Sequence, residues 1–322
     1  METLIISKED CSELLTYEKC IPSMKDALLQ ISSGKAVNLQ RMFVPNDNNT
    51  RVAIMPSTSN TEEVSGGKVI VFGNKETSQG IVPLFCTKTG RLLAITDAKV
   101  MTTVRTASTS AAATDVLAKK DSSVLAILGA GKQGRAHAIA ISKIRDIKTI
   151  NIWSYKEETI NSCIEYLTNE LPNINIVFCK TAKEAVVNAD IICTTTAGSD
   201  KPILKGKWLK DGVHINGVGA CNAKRLECDL DTLNNCKIYT DWTEASIQSS
   251  GNFAIPMSNG EFNVTDIKGE VGEVLLNKIE GRISNDEKTF FSSVGISIQD
   301  LISANVIYKE ALKNKKGIAV KL

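Results

Sequence analysis

The sequence predicts an α/β protein: a doubly wound parallel-sheet domain joined to a second, α+β domain. Three observations predict it. From Lys119 onward, short apolar runs alternate with helical periods, the signature of right-handed βαβ units and a mostly parallel sheet. A glycine-rich loop, Gly129-Ala130-Gly131-Lys132-Gln133-Gly134, separates an apolar run from an amphipathic segment. The part before Lys119 instead carries several strand-like runs bounded by turn residues. A chain of 322 residues is long enough for two such domains.

The N-terminal part begins with a helix expected near Pro22–Ser33. Strand-like runs follow at Val69–Phe72, Ile81–Phe85 and Leu92–Ile95, and Thr87-Lys88-Thr89-Gly90 between the last two reads as a hairpin turn. A helix is expected over Ala98–Leu117, where Ala111-Ala112-Ala113 favours close packing. In the second part, Val124–Leu128 is a strand. A helix follows from Gln133, with Ala136, Ile139, Ala140 and Ile144 on one face. Thr149–Trp153, Ile174–Phe178 and Ile191–Thr195 are further strands, separated by helices at Glu157–Leu171 and Ala182–Asn188. Val213–Val218 and Lys237–Thr240 continue the strand series. Ile298–Asn314 reads as one long amphipathic helix that returns to pack on the first domain. The expected domains are 1–118, joined by the C-terminal helix at 301–322, and 119–300.

Composition narrows the function classes. Lys and Arg total 38 against 36 Asp and Glu, a net charge of +2, which argues against a nucleic-acid binder with its strongly basic face. No apolar run approaches 18 residues, so no membrane helix is expected. The N-terminal residues lack the basic start and apolar core of a signal peptide. The nine cysteines contain no C-x-x-C pair and the histidines are only His137 and His214. That pattern implies reduced thiols, a cytoplasmic setting and no metal site.

The glycine loop carries the first chemical assignment. Its context, directly after a strand and opening a helix, is that of a dinucleotide-binding turn. Gly129 permits the tight turn, Gly131 lets the backbone approach a pyrophosphate, and Gly134 allows close helix–strand packing. Lys132 and Gln133 open the helix whose N-terminal N–H groups face the phosphates. At the end of the next strand an NAD-preferring site places Asp or Glu on the ribose hydroxyls. Here the residues are Ser154-Tyr155-Lys156: a hydroxyl and a cation that suit a 2′-phosphate. The cofactor is therefore read as NADP(H), with NAD(H) the alternative if the strand ends later and Glu157 or Glu158 reaches the ribose.

Three cations stand out in the N-terminal part. Arg41, Lys68 after Gly66-Gly67, and Arg105 inside a small-residue helix all suit a carboxylate ligand. From their spacing alone, three surface charges are the favoured reading.

Several motifs together resemble the ornithine cyclodeaminase/mu-crystallin family over nearly the whole chain. They are Gly67-Lys68, Gly80-Ile81-Val82-Pro83, Arg105-Thr106-Ala107-Ser108, the glycine loop, His214-Ile215-Asn216-Gly217-Val218-Gly219-Ala220 and Phe291-Ser292-Ser293-Val294-Gly295. The resemblance implies that Arg41, Lys68 and Arg105 hold the carboxylate of an amino or imino acid. It implies that Arg105 and Thr106 approach the cofactor, that Thr194, Thr195 and Thr196 line its cleft, and that Val218 and Val294 flank the nicotinamide. It also implies that the parallel-sheet domain is a Rossmann-type dinucleotide-binding domain and the first an α+β substrate and dimerisation domain, with a homodimer formed through the first domain's sheet. Cyclodeaminases and the related alanine dehydrogenases carry an aspartate just after the Val-Gly-Ala strand end. This sequence has Cys221 there, so it resembles the mu-crystallin, ketimine reductase-like branch more closely. The implied activity is NADPH-dependent reduction of a small imino acid, a cyclic ketimine or the imine of a 2-oxo acid, with Lys68 handling the proton. The alternatives are ornithine cyclodeamination, an alanine-type amino-acid dehydrogenase, and a crystallin-like protein that binds NADPH and a carboxylate ligand. Cys221 reads as a non-nucleophilic thiol, His137 as a packing or capping residue, and His214 as structural.

Overall fold

The computed structural model describes residues 2–45, 50–72 and 78–322. The chain forms two compact units, one built from residues 1–105 and 296–322, the other from 106–295. The division falls inside a helix, between Arg105 and Thr106, rather than after it at 118, and the tail joins the first unit from Ile296 rather than from 301.

The first unit contains β1 (Thr3–Ile6), α1 (Lys8–Leu14), α2 (Tyr17–Ser32), β2 (Ala36–Asn38), β3 (Met42–Pro45), β4 (Arg51–Ser59), β5 (Val64–Phe72), β6 (Gln79–Cys86), β7 (Leu92–Asp97) and the start of α3 (Ala98–Leu117). The second contains β8 (Val124–Leu128), α4 (Lys132–Ser142), β9 (Thr149–Trp153), α5 (Glu157–Glu170), β10 (Asn175–Phe178), α6 (Ala182–Val186), β11 (Ile191–Thr194), β12 (His214–Gly217), α7 (Leu230–Asn234), β13 (Lys237–Thr240), α8 (Thr243–Ser249), α9 (Gly251–Ser258), β14 (Ile267–Glu270), α10 (Val271–Leu275) and β15 (Thr289–Ser292). Then α11 (Ser297–Asn314) and β16 (Ile318–Val320) return to the first unit.

The first unit's sheet runs β16-β1-β7-β6-β5-β4-β2, with β3 also on β4. All its pairs are antiparallel except β1 with β7. The Thr87–Gly90 turn closes the β6–β7 hairpin, with Gly90 at φ +69°. The β5–β6 ladder is interrupted: Val64–Gly66 pair with Leu84–Cys86 and Val69–Val71 with Gln79–Ile81. The gap holds Gly67 and Lys68 opposite Val82 and Pro83, and proline has no N–H to donate to a ladder. Gly66 and Gly67 are required there, because a Cβ would lie 2.1 Å from the Pro83 carbonyl oxygen or 2.6 Å from that of Met55. α11 packs on β4, β5, β6 and α2, and nine consecutive residues from Ser297 to Asn305 are buried.

α2 starts at Tyr17, well before the expected Pro22, and carries Pro22 within it. The buried stripe Cys20, Ile21, Met24, Ala27 and Leu28 runs across the proline, and its packing outweighs one lost backbone hydrogen bond. At the start of α3 the Asp97 carboxylate accepts from the N–H groups of Lys99 and Val100.

The second unit's sheet is parallel throughout, in the order β10-β9-β8-β11-β12-β15-β13-β14. Its first five strands are the doubly wound 3-2-1-4-5 arrangement, with order reversing at β8 and β11. Ligands of such sheets bind beyond the carboxyl ends of the strands at that reversal, where the glycine loop leaves β8. Among the described residues no helix is long and apolar enough to cross a membrane, and all nine cysteines are free.

Candidate active site

In the first unit the site grows from the β5–β6 interruption. Lys68 rises from the gap and is 4% exposed. Its Nζ lies 2.9 Å from Asp300 Oδ2, and Arg105 Nε lies 3.0 Å from Asp300 Oδ1. Arg105 also donates Nη1–H to Gln299 Oε1 at 2.9 Å. One fully buried carboxylate on α11 thus holds a lysine from β5 and an arginine from α3. Arg41 is half-buried, its guanidinium 5.9 Å from the centroid of the Phe43 ring, and its charge acts on Lys68. Burial lowers the Lys68 pKa to about 8; Asp300 opposes that, while Arg105 and Arg41 reinforce it. Burial raises the Asp300 pKa, but the two cations more than offset this and hold it below the usual carboxylate value. Two fixed cations against one carboxylate leave a net positive centre suited to a further carboxylate.

Neither Asp300 nor Gln299 was anticipated from the sequence. The signal was present: Asp300 stands among Ile298, Leu301, Ile302 and Ala304 in a helix, and a charge in such a stretch requires a buried partner.

In the second unit each loop glycine has its own geometry. Gly129 adopts φ +112°, where a Cβ would fall 2.7 Å from the Thr195 carbonyl oxygen. Gly134 packs so tightly that a Cβ would lie 2.0 Å from the Gly129 carbonyl oxygen. Gly131, the N-cap of α4, faces open space, with nothing within 4 Å of a built Cβ. That cradle, at the N-terminus of an eleven-residue helix, fits a pyrophosphate. Lys132 is exposed and Gln133 half-buried at the helix start.

β9 ends at Trp153, and Lys156 is the N-cap of α5. Tyr155 stands 61% exposed with its ring edge-on to Trp153, centroids 4.9 Å apart. Ser154 is half-buried, and the first carboxylates, Glu157 and Glu158, come only in the first turn of α5. An open groove is lined by Lys156, Glu157, Glu158 and Asn161.

The three threonines at the end of β11, Thr194 to Thr196, use their hydroxyls internally. Thr194 and Thr196 donate to Glu227, and Thr195 donates to the carbonyls of Leu128 and Gly129. What they offer a ligand is shape, with the side-chain hydrogen bonds already committed. Val218 and Val294 are 5% and 4% exposed, and Thr106 is 8% exposed. Glu227 is a second buried carboxylate that sequence reasoning passed over.

Both histidines are structural. His137 donates Nδ1–H to the Gln133 carbonyl and accepts at Nε2 from Ser110, and burial lowers its pKa to about 4. His214 donates Nδ1–H to Thr289, and burial, reinforced by the Arg282 charge, lowers its pKa to about 3. The exposed Cys221 thiol donates to the Val218 carbonyl at 3.0 Å.

The sequence profile of the ornithine cyclodeaminase/mu-crystallin family matches residues 1–315. The chain belongs to that family. It is 32% identical over 323 residues to a Δ1-pyrroline-2-carboxylate reductase of Bacillus cereus, covering 98% of each chain. It is 32% identical over 299 residues to the ketimine reductase mu-crystallin of Macropus fuliginosus, covering 89% of this chain and 90% of that one. Among solved structures it is similar to Thermococcus litoralis Δ1-pyrroline-2-carboxylate reductase in complex with NADH and L-proline. The TM-score is 0.94 and the identity 30%, with 99% of this chain and 100% of the other covered. The family's two-part architecture, a Rossmann-type parallel sheet with a separate mixed sheet, is the one described above.

Proposed function

We propose that this family member is an NAD(P)H-dependent reductase of small cyclic imino acids, with Δ1-pyrroline-2-carboxylate and its six-membered homologue as the substrate class. The observation that carries the reading is the buried Lys68–Asp300–Arg105 cluster in a chain that aligns end to end with such reductases. Arg105 and Lys68, with Arg41 nearby in charge, bind the substrate carboxylate and so orient the ring. The nucleotide, when bound, supplies a hydride to the C=N carbon. Lys68, protonated below about pH 8, holds a proton within the site for the ring nitrogen. Imine, hydride and proton then balance to the cyclic amino acid and oxidised nucleotide.

The nucleotide reading favours NADPH. No carboxylate stands between Trp153 and Lys156, and Lys156 is an exposed cation at the start of α5. Cys221 supports reduction of a preformed imine: its thiol, bonded to the Val218 carbonyl, offers no carboxylate to act on a substrate amine. The protein is also read as a cytoplasmic homodimer. Val37, Met42, Phe43, Val44, Val71 and Ile81 are between 42% and 55% exposed on the strands of the first sheet, an apolar area that a second copy would cover.

The deciding experiment follows loss of reduced-nucleotide absorbance with each cyclic imino acid and with pyruvate plus ammonia, and follows ammonia release from ornithine plus NAD. Rapid consumption of NADPH with the cyclic imino acids alone is expected. Ammonia-dependent pyruvate reduction, ornithine conversion without net reduction, or nucleotide binding without turnover would overturn the reading.

A further inference from the structure

Glu227 is fully buried and makes no ion pair among the described residues. Its Oε1 accepts from the backbone N–H and the hydroxyl of Thr196, both at 2.6 Å. Its Oε2 accepts from the Thr194 hydroxyl at 2.7 Å and the Gly219 N–H at 2.8 Å. The backbone N–H groups can only donate, so each oxygen accepts at least one hydrogen bond, an arrangement that suits an ionised carboxylate. Burial raises the Glu227 pKa above the ordinary carboxylate value, and these four donors offset that rise only in part.

The carboxylate also fills the space beneath Gly219, where a Cβ would lie 2.3 Å from Oε1. Its own backbone N–H is tied to Asn252 Oδ1 at 2.8 Å. The loop it grips is strained: Ala197 sits at φ +71°, next to Gly198 at +70°, a conformation that costs an alanine about 1 kcal/mol or more. Glu227 therefore fixes the exits of two adjacent parallel strands, β11 and β12, by bonds that only an anion of this length can make.

The location gives this anion a consequence. In a doubly wound sheet the two mononucleotide halves of a dinucleotide lie over the two halves of the strand order. The glycine loop after β8 marks the centre, and β9 and β10 carry the adenosine side, so β11 and β12 belong to the nicotinamide side. The nicotinamide ring is positively charged when oxidised and neutral when reduced. We infer that Glu227 is a positioning residue that holds the β11 and β12 exits in place and, through its unpaired negative charge, favours the oxidised nucleotide over the reduced one. The inference rests on the nucleotide reading above. During reduction, positive charge develops on the ring as the hydride leaves, and a fixed anion in a dry site stabilises it without reorganisation.

The test compares binding of NADP+ and NADPH, with NAD+ and NADH in parallel, by fluorescence and calorimetry. E227Q removes the charge at constant size. It is expected to weaken the oxidised form more than the reduced one, moving the ratio of the two dissociation constants on the order of tenfold, as one buried unit charge would. E227D keeps the charge but shortens the grip, so it should weaken both forms alike and leave the ratio unchanged. An unchanged ratio in E227Q, or the same ratio shift in E227D, overturns the inference. If E227Q does not fold, E227M, equally long and uncharged, takes its place with the same expected ratio shift and the same overturning result. Failure of the wild-type protein to bind any of the four nucleotides would instead overturn the nucleotide reading itself.

Discussion

Burial lowers the Lys68 pKa, and the Asp300 carboxylate restores part of what burial removes. With Lys68 near 8, the rate of imine reduction should fall as pH rises through about 8, because the protonated amine is then lost. The Asp300→Asn variant removes the one partner that raises the Lys68 pKa, so its rate should break at a lower pH than the wild type. A pH profile of kcat/KM for both proteins checks this; coincident profiles would remove Lys68 from the proton path. The same variant strands two buried cations and should cost about 3–5 kcal/mol of stability by denaturant titration. Stability carries its own sign. The folded Lys68 pKa lies below the ordinary 10.5, so folding releases protons between about pH 8 and 10.5, and this group's contribution to stability rises over that window. At the other end of the chemistry, Lys156→Glu should weaken NADPH by about tenfold or more and NADH far less, measured as separate dissociation constants. Equal weakening would detach Lys156 from the 2′-phosphate.

At the scale of elements, the glycine loop separates folding from binding. Gly134→Ala drives a Cβ into the Gly129 carbonyl, so about 1–3 kcal/mol of stability should be lost along with nucleotide affinity. Gly131→Ala meets open space, so its melting temperature should stay near wild type while nucleotide binding drops. A parallel loss of stability in both variants would contradict the distinct roles. These glycines were legible because loop spacing and flanking periodicity are local signals. The elements β8, β9, β13 and α3 were readable for the same reason, being continuous apolar or small-residue runs. β1, β3, β4 and β16 were not, since each short strand acquires its identity from a partner far away in sequence, as Leu4 does from Ala94 and Ala319. β15 was quoted as a motif yet not as a strand, although Thr289–Ser292 runs between β12 and β13. The cation cluster was half legible. Arg41, Lys68 and Arg105 could be named, but Asp300 lies 195 residues from Arg105, and only the folded chain joins them.

At the scale of the whole molecule, the proposed dimer would form through the exposed apolar strands of the first sheet. Val44→Glu places a charge on a 54% exposed valine of β3. It should convert a dimer to monomers in sedimentation analysis without loss of helical signal. An unaltered oligomer would move the contact elsewhere.

The order of synthesis follows from the way the tail completes the first unit. Residues 106–295 are contiguous, so the parallel sheet can fold as soon as it clears the ribosome. The first unit must wait: α11 covers β4, β5 and β6, and β16 closes the edge of β1. Until residue 300 emerges, Lys68 and Arg105 lack the Asp300 carboxylate, and the nascent sheet lacks the helix that packs on it. A stalled or shortened product would therefore carry a finished second unit and an unfinished first unit, a mixture that protease digestion of truncated chains would display as one resistant fragment and one that is cleared.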